Sequence, residues 1–178
     1  IDAGFDRVAF VPAVKLDDEA ERLNDWLNAG NNASMKWIAR DPQRRTDPRV
    51  IFPAARSVVV VLKNYYTDHR HTSPGKISRY AWGDDYHDVV GSGLRAVLQR
   101  IRDEVPEADG KVCVDTAPMM DKAWAVRAGL GWLGKHSNVI TRDLESWVFI
   151  GELILDLELE YDTGEIADHC GSCTACLD

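Results

Sequence analysis

Hydrophobic and polar positions along the chain follow two periods, and each period predicts one kind of element. Patterns typical of β-strands occur at residues 4–12, 57–62, 111–115, 137–140 and 147–157. The run at 57–62 is continuously apolar and rich in valine, so we expect a strand that is buried on both faces.

Helical periodicity predicts three helices. They begin at Asp17, at Asp84 or Asp85, and at Asp121, and they end near Gly30, Val105 and Gly129. Residues 31–53 contain three prolines and should form a linker with at most one helical turn, at 34–38. Because strands and helices follow no strict alternation, we predict an α+β fold with a mixed sheet flanked by helices.

Composition is that of a globular protein and excludes a disordered or collagen-like chain. Of 178 residues, 45% are hydrophobic and 28% are charged. The net charge of −8 argues against a general nucleic-acid binder. However, residues 36–56 hold six basic side chains against two acidic ones, so this segment is either a solvated loop or a contact for a phosphate-bearing ligand.

Three of the four cysteines form a C-x2-C-x2-C run at Cys170, Cys173 and Cys176. Thiolates this close on a loop of small residues favour an iron–sulfur cluster, with a zinc knuckle involving His169 or disulfides as alternatives. The bacterial cluster motif continues beyond residue 178, and the chain lacks an initial methionine, so we expect a piece of a longer protein. The remaining Cys113 lies in an apolar run and should be a buried thiol.

Two further segments are candidates for chemistry. Asp115 follows a predicted strand and is either a turn residue or a general acid whose proton-bearing form is favoured by apolar Pro118, Met119 and Met120. The glycines of residues 128–134 would let a flat or phosphate-bearing ligand approach the backbone, although a structural turn explains them equally well. Possible donors follow at Lys135, His136, Ser137 and Asn138.

Several segments together resemble the epoxyqueuosine reductases. The motifs KISRYAWGDDYH (76–87), VDTAPMMDKAWAVRAGLGWLGKHSNVI (114–140), FIGELILD (149–156) and CGSCTAC (170–176) occur in the same order as in that family. Residues 47–65 are similar to its upstream segment, so the resemblance covers nearly the whole chain.

The resemblance implies a cobalamin-dependent enzyme that reduces epoxyqueuosine to queuosine at the wobble position of tRNA. Such enzymes combine a cobalamin-binding domain, expected here at residues 1–165, with a ferredoxin-like domain holding two 4Fe-4S clusters, which would begin at 166–178. The resemblance further implies tRNA and an external electron donor as partners, with no role for a membrane. We expect a monomer, and the cysteine usage fits the reducing cytoplasm.

The resemblance also implies roles for individual residues. Asp115 matches the proposed proton donor, which would protonate the departing epoxide oxygen during a two-electron reduction. Cys170, Cys173 and Cys176 match the first cluster motif. The segments expected to contact cobalamin contain Arg45, Arg79, Tyr80, Lys135, His136, Ser137 and Asn138.

Two other functions remain open at this stage. One is a relative of the reductive dehalogenases, which would share corrin and clusters but act on small halogenated compounds. The other is a ferredoxin-type electron carrier without chemistry of its own. A corrinoid spectrum would separate the carrier from the enzymes, and activity on epoxyqueuosine tRNA would separate the two enzymes.

Overall fold

The computed structural model describes residues 3–70, 75–162, 164 and 166–177. The strands are β1 (Arg7–Pro12), β2 (Ser57–Asn64), β3 (Gly110–Cys113), β4 (Trp132–Leu133), β5 (Val139–Ile140) and β6 (Val148–Leu155). The helices are α1 (Asp17–Asn28), α2 (Lys36–Ala39), α3 (Pro42–Thr46), α4 (Pro48–Ile51), α5 (Tyr86–Glu104) and α6 (Asp121–Arg127). A 3₁₀ turn, Arg79–Ala81, precedes α5.

The main sheet has the order β1-β2-β6-β3. The predicted α+β class is confirmed, and the sheet that was expected to be mixed is antiparallel at each of its three pairings. Its central rung joins Ala9, Val60, Glu152 and Cys113 across the four strands. All six residues from 57 to 62 are buried, as their uninterrupted apolar run predicted.

Each face of the sheet carries its own layer of helices. On one face, Val90, Leu94 and Leu98 of α5 pack against the β2 and β6 side chains Val59, Val61, Leu153 and Leu155. On the other face, Trp124 and Ala125 of α6 pack with residues such as Val58, Val60, Ile154 and Leu16. The sheet is therefore covered on both sides, and its strand ends form the borders where polar side chains collect.

Prolines and acidic residues set the starts of the helices. Pro42 and Pro48 occupy the first turns of α3 and α4, where a missing N–H costs nothing, so the expected linker folds as three short helices. The side chain of Asp85 accepts a hydrogen bond from the His87 N–H and caps α5.

Two loop regions differ from the strand predictions. β3 ends at Cys113, so Asp115 lies beyond the strand, in the left-handed region at φ +47°. The glycine-rich segment contains the small hairpin β4–β5, whereas a strand was expected only at 137–140. Among the helices of the described residues, none is both long enough and apolar enough to cross a membrane.

The close approach of α5 to β6 gives a stability prediction for Gly151. A methyl group at Gly151 would lie 2.6 Å from Cγ1 of Val90 and 3.0 Å from Cδ1 of Leu94, both of which are buried. We expect Gly151→Ala to lower the free energy of unfolding by about 1–3 kcal/mol through overpacking, measured by urea denaturation.

Gly83→Ala is the matched control for this substitution. A methyl group there meets nothing within 4 Å, so we expect a change within about 0.5 kcal/mol. Equal stabilities for the two variants would show that α5 is not held tightly against β6.

Candidate functional site

Asp115 is the centre of a small polar cluster at the end of β3. The hydroxyl of Tyr86 donates to Oδ2 of Asp115 over 2.5 Å, and Nε2 of His87 lies 3.5 Å from the same oxygen. The other ring nitrogen of His87, Nδ1, is 2.7 Å from Oδ1 of Asp85. The first residues of α5 therefore hold Asp115 at one of its two oxygens, and a second carboxylate holds the imidazole.

The two partners of Asp115 are tuned to keep their protons. Burial, and then the hydrogen bond to Asp115, raise the pKa of Tyr86, so its hydroxyl remains a donor. The hydrogen bond that the His87 ring donates to Asp85 raises the pKa of His87, which keeps the imidazolium charged to a higher pH. The side chain of Asp115 itself is 61% exposed, so the expected desolvation by its apolar neighbours is not found.

Arg79 and Tyr80 lie on an aromatic surface next to this cluster. The guanidinium of Arg79 stacks over the rings of Tyr66, Trp82 and Trp147 at 5.0, 5.6 and 5.1 Å. Tyr80 is half-exposed beside it. Aromatic stacking continues to the acid cluster, because the ring of Phe149 lies 4.4 Å from that of Tyr86.

A cavity of about 800 Å³ opens between the short helices, α6 and the glycine-rich segment. Its walls are mainly apolar and include Leu23, Trp26, Trp37, Met120, Val126 and Leu133. Polar groups at this cavity come from α1 and from the elements opposite it: Glu19, Arg22, Arg45, Asp121, Lys122 and Ser137. Such a combination of flat apolar walls and a few polar groups is typical of a cofactor site.

The segment 135–138 does not face one common site. Ser137 lines the cavity, and Lys122 ties this turn to α6 by donating to the Ser137 carbonyl over 2.8 Å and to Oδ1 of Asn138 over 3.0 Å. His136 points elsewhere, with Nε2 3.3 Å from the hydroxyl of Ser146. The predicted contacts Arg45 and Ser137 are thus brought together, whereas Arg79 and Tyr80 are not among the residues that line this cavity.

The cysteine loop, residues 166–177, carries the three cysteines as free thiols. Cys173 and Cys176 are exposed and Cys170 is partly buried. The N–H of Cys173 donates to the Cys170 carbonyl over 2.9 Å, which makes a turn between the two. In the part of the chain that the structure describes, no three Cys, His, Asp or Glu side chains are gathered in a metal-binding arrangement.

Glu152, in the centre of β6, and Asp121, in the wall of the cavity, form a pair of carboxyl groups. Glu152 is 0% exposed in the centre of β6, and neither of its oxygens meets a hydrogen-bond donor among the described residues. Its neighbour Asp121 is a second carboxyl group, and these two groups can share a hydrogen bond only when one of them carries a proton. Burial raises the pKa of Asp121 to about 6, and burial together with Asp121 raises that of Glu152 well above its usual range.

Glu152 was not predicted as a site residue, although the sequence around it is unusual. It is the only charged residue in the run VFIGELIL, and a charge inside an otherwise apolar strand is costly unless it has a role or a proton. No sequence pattern comparable to this one predicted the contacts of Lys122, Tyr86 and His87, since their partners come from distant parts of the chain. By contrast, the prediction of a buried thiol at Cys113 is confirmed, with 1% exposure.

The fold and these features are typical of one class of protein. An α+β domain presents a large, mainly apolar cavity, an exposed acid held by neighbouring donors, and a loop of free thiols, and this combination is typical of domains that bind a cofactor. Comparisons with known proteins narrow this class to one family.

The family description "Epoxyqueuosine reductase QueG, DUF1730" matches residues 45–116. A protein named epoxyqueuosine reductase from Leadbetterella byssophila is 48% identical over 98% of this chain and 58% of its own length. The chain belongs to the epoxyqueuosine reductase family, as its motifs had indicated. It spans little more than half the length of the curated relatives it matches.

Solved structures agree with this assignment. Epoxyqueuosine reductase from Streptococcus thermophilus matches 99% of this chain and 48% of its own, with a TM-score of 0.89 at 28% identity. A second, solved with a tRNA-Tyr epoxyqueuosine-modified stem loop, matches 99% of this chain and 48% of its own, with a TM-score of 0.86 at 30% identity. A third, from Bacillus subtilis, was solved with the catalytic loop of an aspartate swung out of the active site. It matches 98% of this chain and 47% of its own, with a TM-score of 0.85 at 29% identity.

A catabolic reductive dehalogenase shares the fold alone. It matches 96% of this chain and 21% of its own at 12% identity, with a TM-score of 0.53. This likeness extends to the fold and carries no argument about function.

The buried carboxyl pair predicts an unusual dependence of stability on pH. The unfolded chain releases these protons near pH 3.8 and 4.5, whereas the folded chain keeps them to pH 6 and above. The free energy of unfolding should therefore fall as pH rises from about 4 through 6. Glu152→Gln should reduce this fall and stabilise the chain at pH 8 by roughly 1–3 kcal/mol, measured by denaturation at several pH values.

Glu160→Gln removes an exposed carboxylate and serves as the control, with an unchanged pH profile. Parallel profiles for the wild type and Glu152→Gln would show that the pair does not hold a proton in the folded state.

Thiol reactivity gives a second prediction. Burial, and then the charge of Glu152, raise the pKa of Cys113 to about 12, so its reactive thiolate is scarce at neutral pH. In the native, metal-free chain we expect three thiols to react with an aromatic disulfide reagent within minutes, and the fourth only after unfolding. Mass spectrometry should place the protected thiol at Cys113, and rapid labelling there would contradict the described core.

Proposed function

We propose that this chain is the cofactor-binding and proton-donating part of an enzyme that reduces epoxyqueuosine to queuosine at the wobble position of tRNA, the last step of queuosine biosynthesis. The observation that carries the proposal is the held but exposed acid at Asp115, in a chain whose relatives are named epoxyqueuosine reductases. The relative that was solved with a modified tRNA stem loop supports tRNA as the substrate.

Asp115 suits the role of proton donor for three reasons. Its side chain is open to an incoming substrate, and its backbone has a positive φ, which surrounding contacts must maintain. Tyr86 and His87 approach the same oxygen, Oδ2, so the carboxyl group is held in one orientation. The relative whose catalytic aspartate loop is swung out supports a catalytic aspartate in this family.

The protons that the reaction consumes suggest a role for each residue of the Asp115 cluster. Conversion of an epoxide into an alkene and water consumes two electrons and two protons. Asp115 delivers one proton to the departing oxygen, and His87, held in its charged form by Asp85, is placed to return a proton to Asp115. Tyr86 fixes the carboxyl group between these transfers.

Cobalamin fits the large cavity. Its apolar walls and volume suit one face of a corrin ring, and Arg45, Lys122 and Ser137 are placed to bind the polar edge groups. When bound, a corrin would supply the reduced cobalt that delivers electrons to the epoxide carbon. Arg79, Tyr80, Lys135, His136 and Asn138 stay predicted contacts, and in this structure the ammonium of Lys135 binds carbonyls of the cysteine loop.

The cysteine loop fits an iron–sulfur cluster by its donor set. Three free thiols at Cys170, Cys173 and Cys176 are the ligands that such clusters require, and a fourth must come from elsewhere. We propose that this loop, residues 166–178, begins a ferredoxin-like domain with two 4Fe-4S clusters that follows the cobalamin domain, residues 1–165. An external donor would supply the electrons.

The basic segment 36–56 contributes residues to the cavity in which we propose that cobalamin binds. Trp37 and Arg45 from this segment line the cavity, and the guanidinium of Arg45 lies 4.9 Å from the centre of the Trp37 ring. Arg49 is already paired with Asp47 at 2.9 Å. A plain electron carrier would need neither this cavity nor the acid cluster, so the carrier alternative leaves most of the site unexplained.

Asp115→Asn tests the proposed role in the longer enzyme that contains this chain. The amide keeps the shape but cannot donate the acid proton, so we expect single-turnover rates on epoxyqueuosine tRNA to fall by about 10²–10⁴-fold. The cobalamin absorption spectrum should be unchanged, which shows that the cavity is intact.

Asp88→Asn changes an exposed carboxylate on the same helix entry and is the control, with a normal rate expected. Near-normal turnover by Asp115→Asn would remove this residue from the mechanism. Failure of the wild-type enzyme to bind cobalamin would refute the assignment of the cavity.

A further inference from the structure

The glycine-rich segment 129–135, here called the glycine platform, supports the chain that leads into the cysteine loop. Gly129 has φ +69°, and a methyl group there would lie 2.4 Å from the carbonyl oxygen of Gly164. A residue with a side chain would therefore be strained by its backbone and would also collide with the crossing chain. The glycines were expected to let a ligand approach the backbone. At Gly129 the group that approaches is the backbone of Gly164.

Two more residues of the glycine platform contact the chain nearer to the three cysteines. The ring of Trp132 meets that of His169 edge to face, with centroids 5.2 Å apart. The ammonium of Lys135 then donates to the carbonyl of Gly171 over 2.7 Å and to that of Cys173 over 2.9 Å. Platform and loop thus meet at successive points along both segments.

Lys135 places a positive charge within the loop that carries the thiols. The Cys173 carbonyl that it binds belongs to the central residue of the three-cysteine run. The carboxylate of Asp168 also holds the loop, because it accepts a hydrogen bond from the Cys170 N–H over 2.7 Å. The loop is therefore fixed by one cation and one anion, and the cation lies on the carbonyls of its first turn.

We propose that Lys135 is a positioning residue for the cysteine loop and that its charge raises the reduction potential of the cluster bound there. The proposal rests on the proposed function, because it needs a cluster on these cysteines. Reduction adds one electron from the external donor and breaks no bond, so the cluster with its thiolates becomes more negative by one charge. A fixed cation nearby favours that reduced form.

The cluster-free test uses the present chain and amide hydrogen exchange. Lys135→Gln loses the charge and the paired hydrogen bonds, so amides of residues 170–177 should exchange on the order of fivefold faster. Lys135→Arg should stay close to the wild type, because its guanidinium also donates twice. Lys111→Gln, which changes an exposed lysine of the edge strand β3, is the matched control and should have no effect.

The second test uses the longer enzyme, reconstituted anaerobically with iron and sulfide. Iron content is measured first, and the clusters are then titrated with dithionite while their paramagnetic resonance signal is followed. Lys135→Gln should shift the midpoint potential of one cluster to a more negative value, and Lys135→Arg should restore it. Loss of iron in Lys135→Gln with retention in Lys135→Arg would also support the positioning role.

Distinct results separate this inference from the proposed function. Wild-type iron content, potential and amide exchange in Lys135→Gln would overturn the role of Lys135 while leaving the cluster in place. Loss of the cluster in Lys135→Arg as well as in Lys135→Gln would also overturn it, since a cation at this position would then be insufficient. A wild-type enzyme that binds no iron would refute the proposed function, and amide exchange would still decide whether Lys135 holds the loop.

Discussion

The pairing of β2 with β6 is the constraint on which the rest of this structure depends. Eight residues of each strand pair in register, from Ser57 opposite Leu155 to Asn64 opposite Val148. Both strands are largely buried, so each face of the ladder must be covered by helices. Helix α5 covers one face and α6 the other, and the register fixes which side chains each helix meets.

This ladder also explains why the polar groups occur where they do. Asp115 lies just past the end of β3, and Phe149, near the start of β6, stacks against Tyr86 of α5. The acid cluster is therefore a product of the sheet edge and one helix entry. Glu152, in contrast, lies on the central rung and is fully buried, so burial raises its pKa and disfavours its charged form.

The site residues fall into three neighbourhoods with different physical characters. The cavity is apolar and takes its polar groups from its border, the acid cluster is exposed and hydrogen-bonded, and the cysteine loop is held by charge. Lys135 illustrates why this division matters. Its position next to His136 suggested a shared ligand contact, but its amine reaches the loop that carries the thiols. Residues adjacent in sequence can thus serve separate parts of one reaction path.

Much of the fold could be predicted from the sequence because the responsible forces are local. Strand β2 followed from an unbroken apolar run, and α1 and α5 followed from their apolar spacing and acidic starts. The prolines of residues 31–53 predicted a linker, and the prediction was wrong for α3 and α4, which both begin at a proline. Residue type and spacing made the three cysteines candidate ligands, the family resemblance made Asp115 the candidate acid, and these roles stay predictions. The family was identified from several motifs in a fixed order.

Other features were decided only by the tertiary structure, because they join residues that are distant in the chain. The antiparallel order of the sheet depends on long-range pairing, and the exposure of Asp115 depends on which elements pass over it. The bond from Tyr86 to Asp115 spans 29 positions, and the bonds from Lys135 to the cysteine loop span 36 and 38. The sequence by itself determined which chemical groups are present and the local elements that hold them, whereas folding decided which groups meet, since hydrogen bonds and burial act through space.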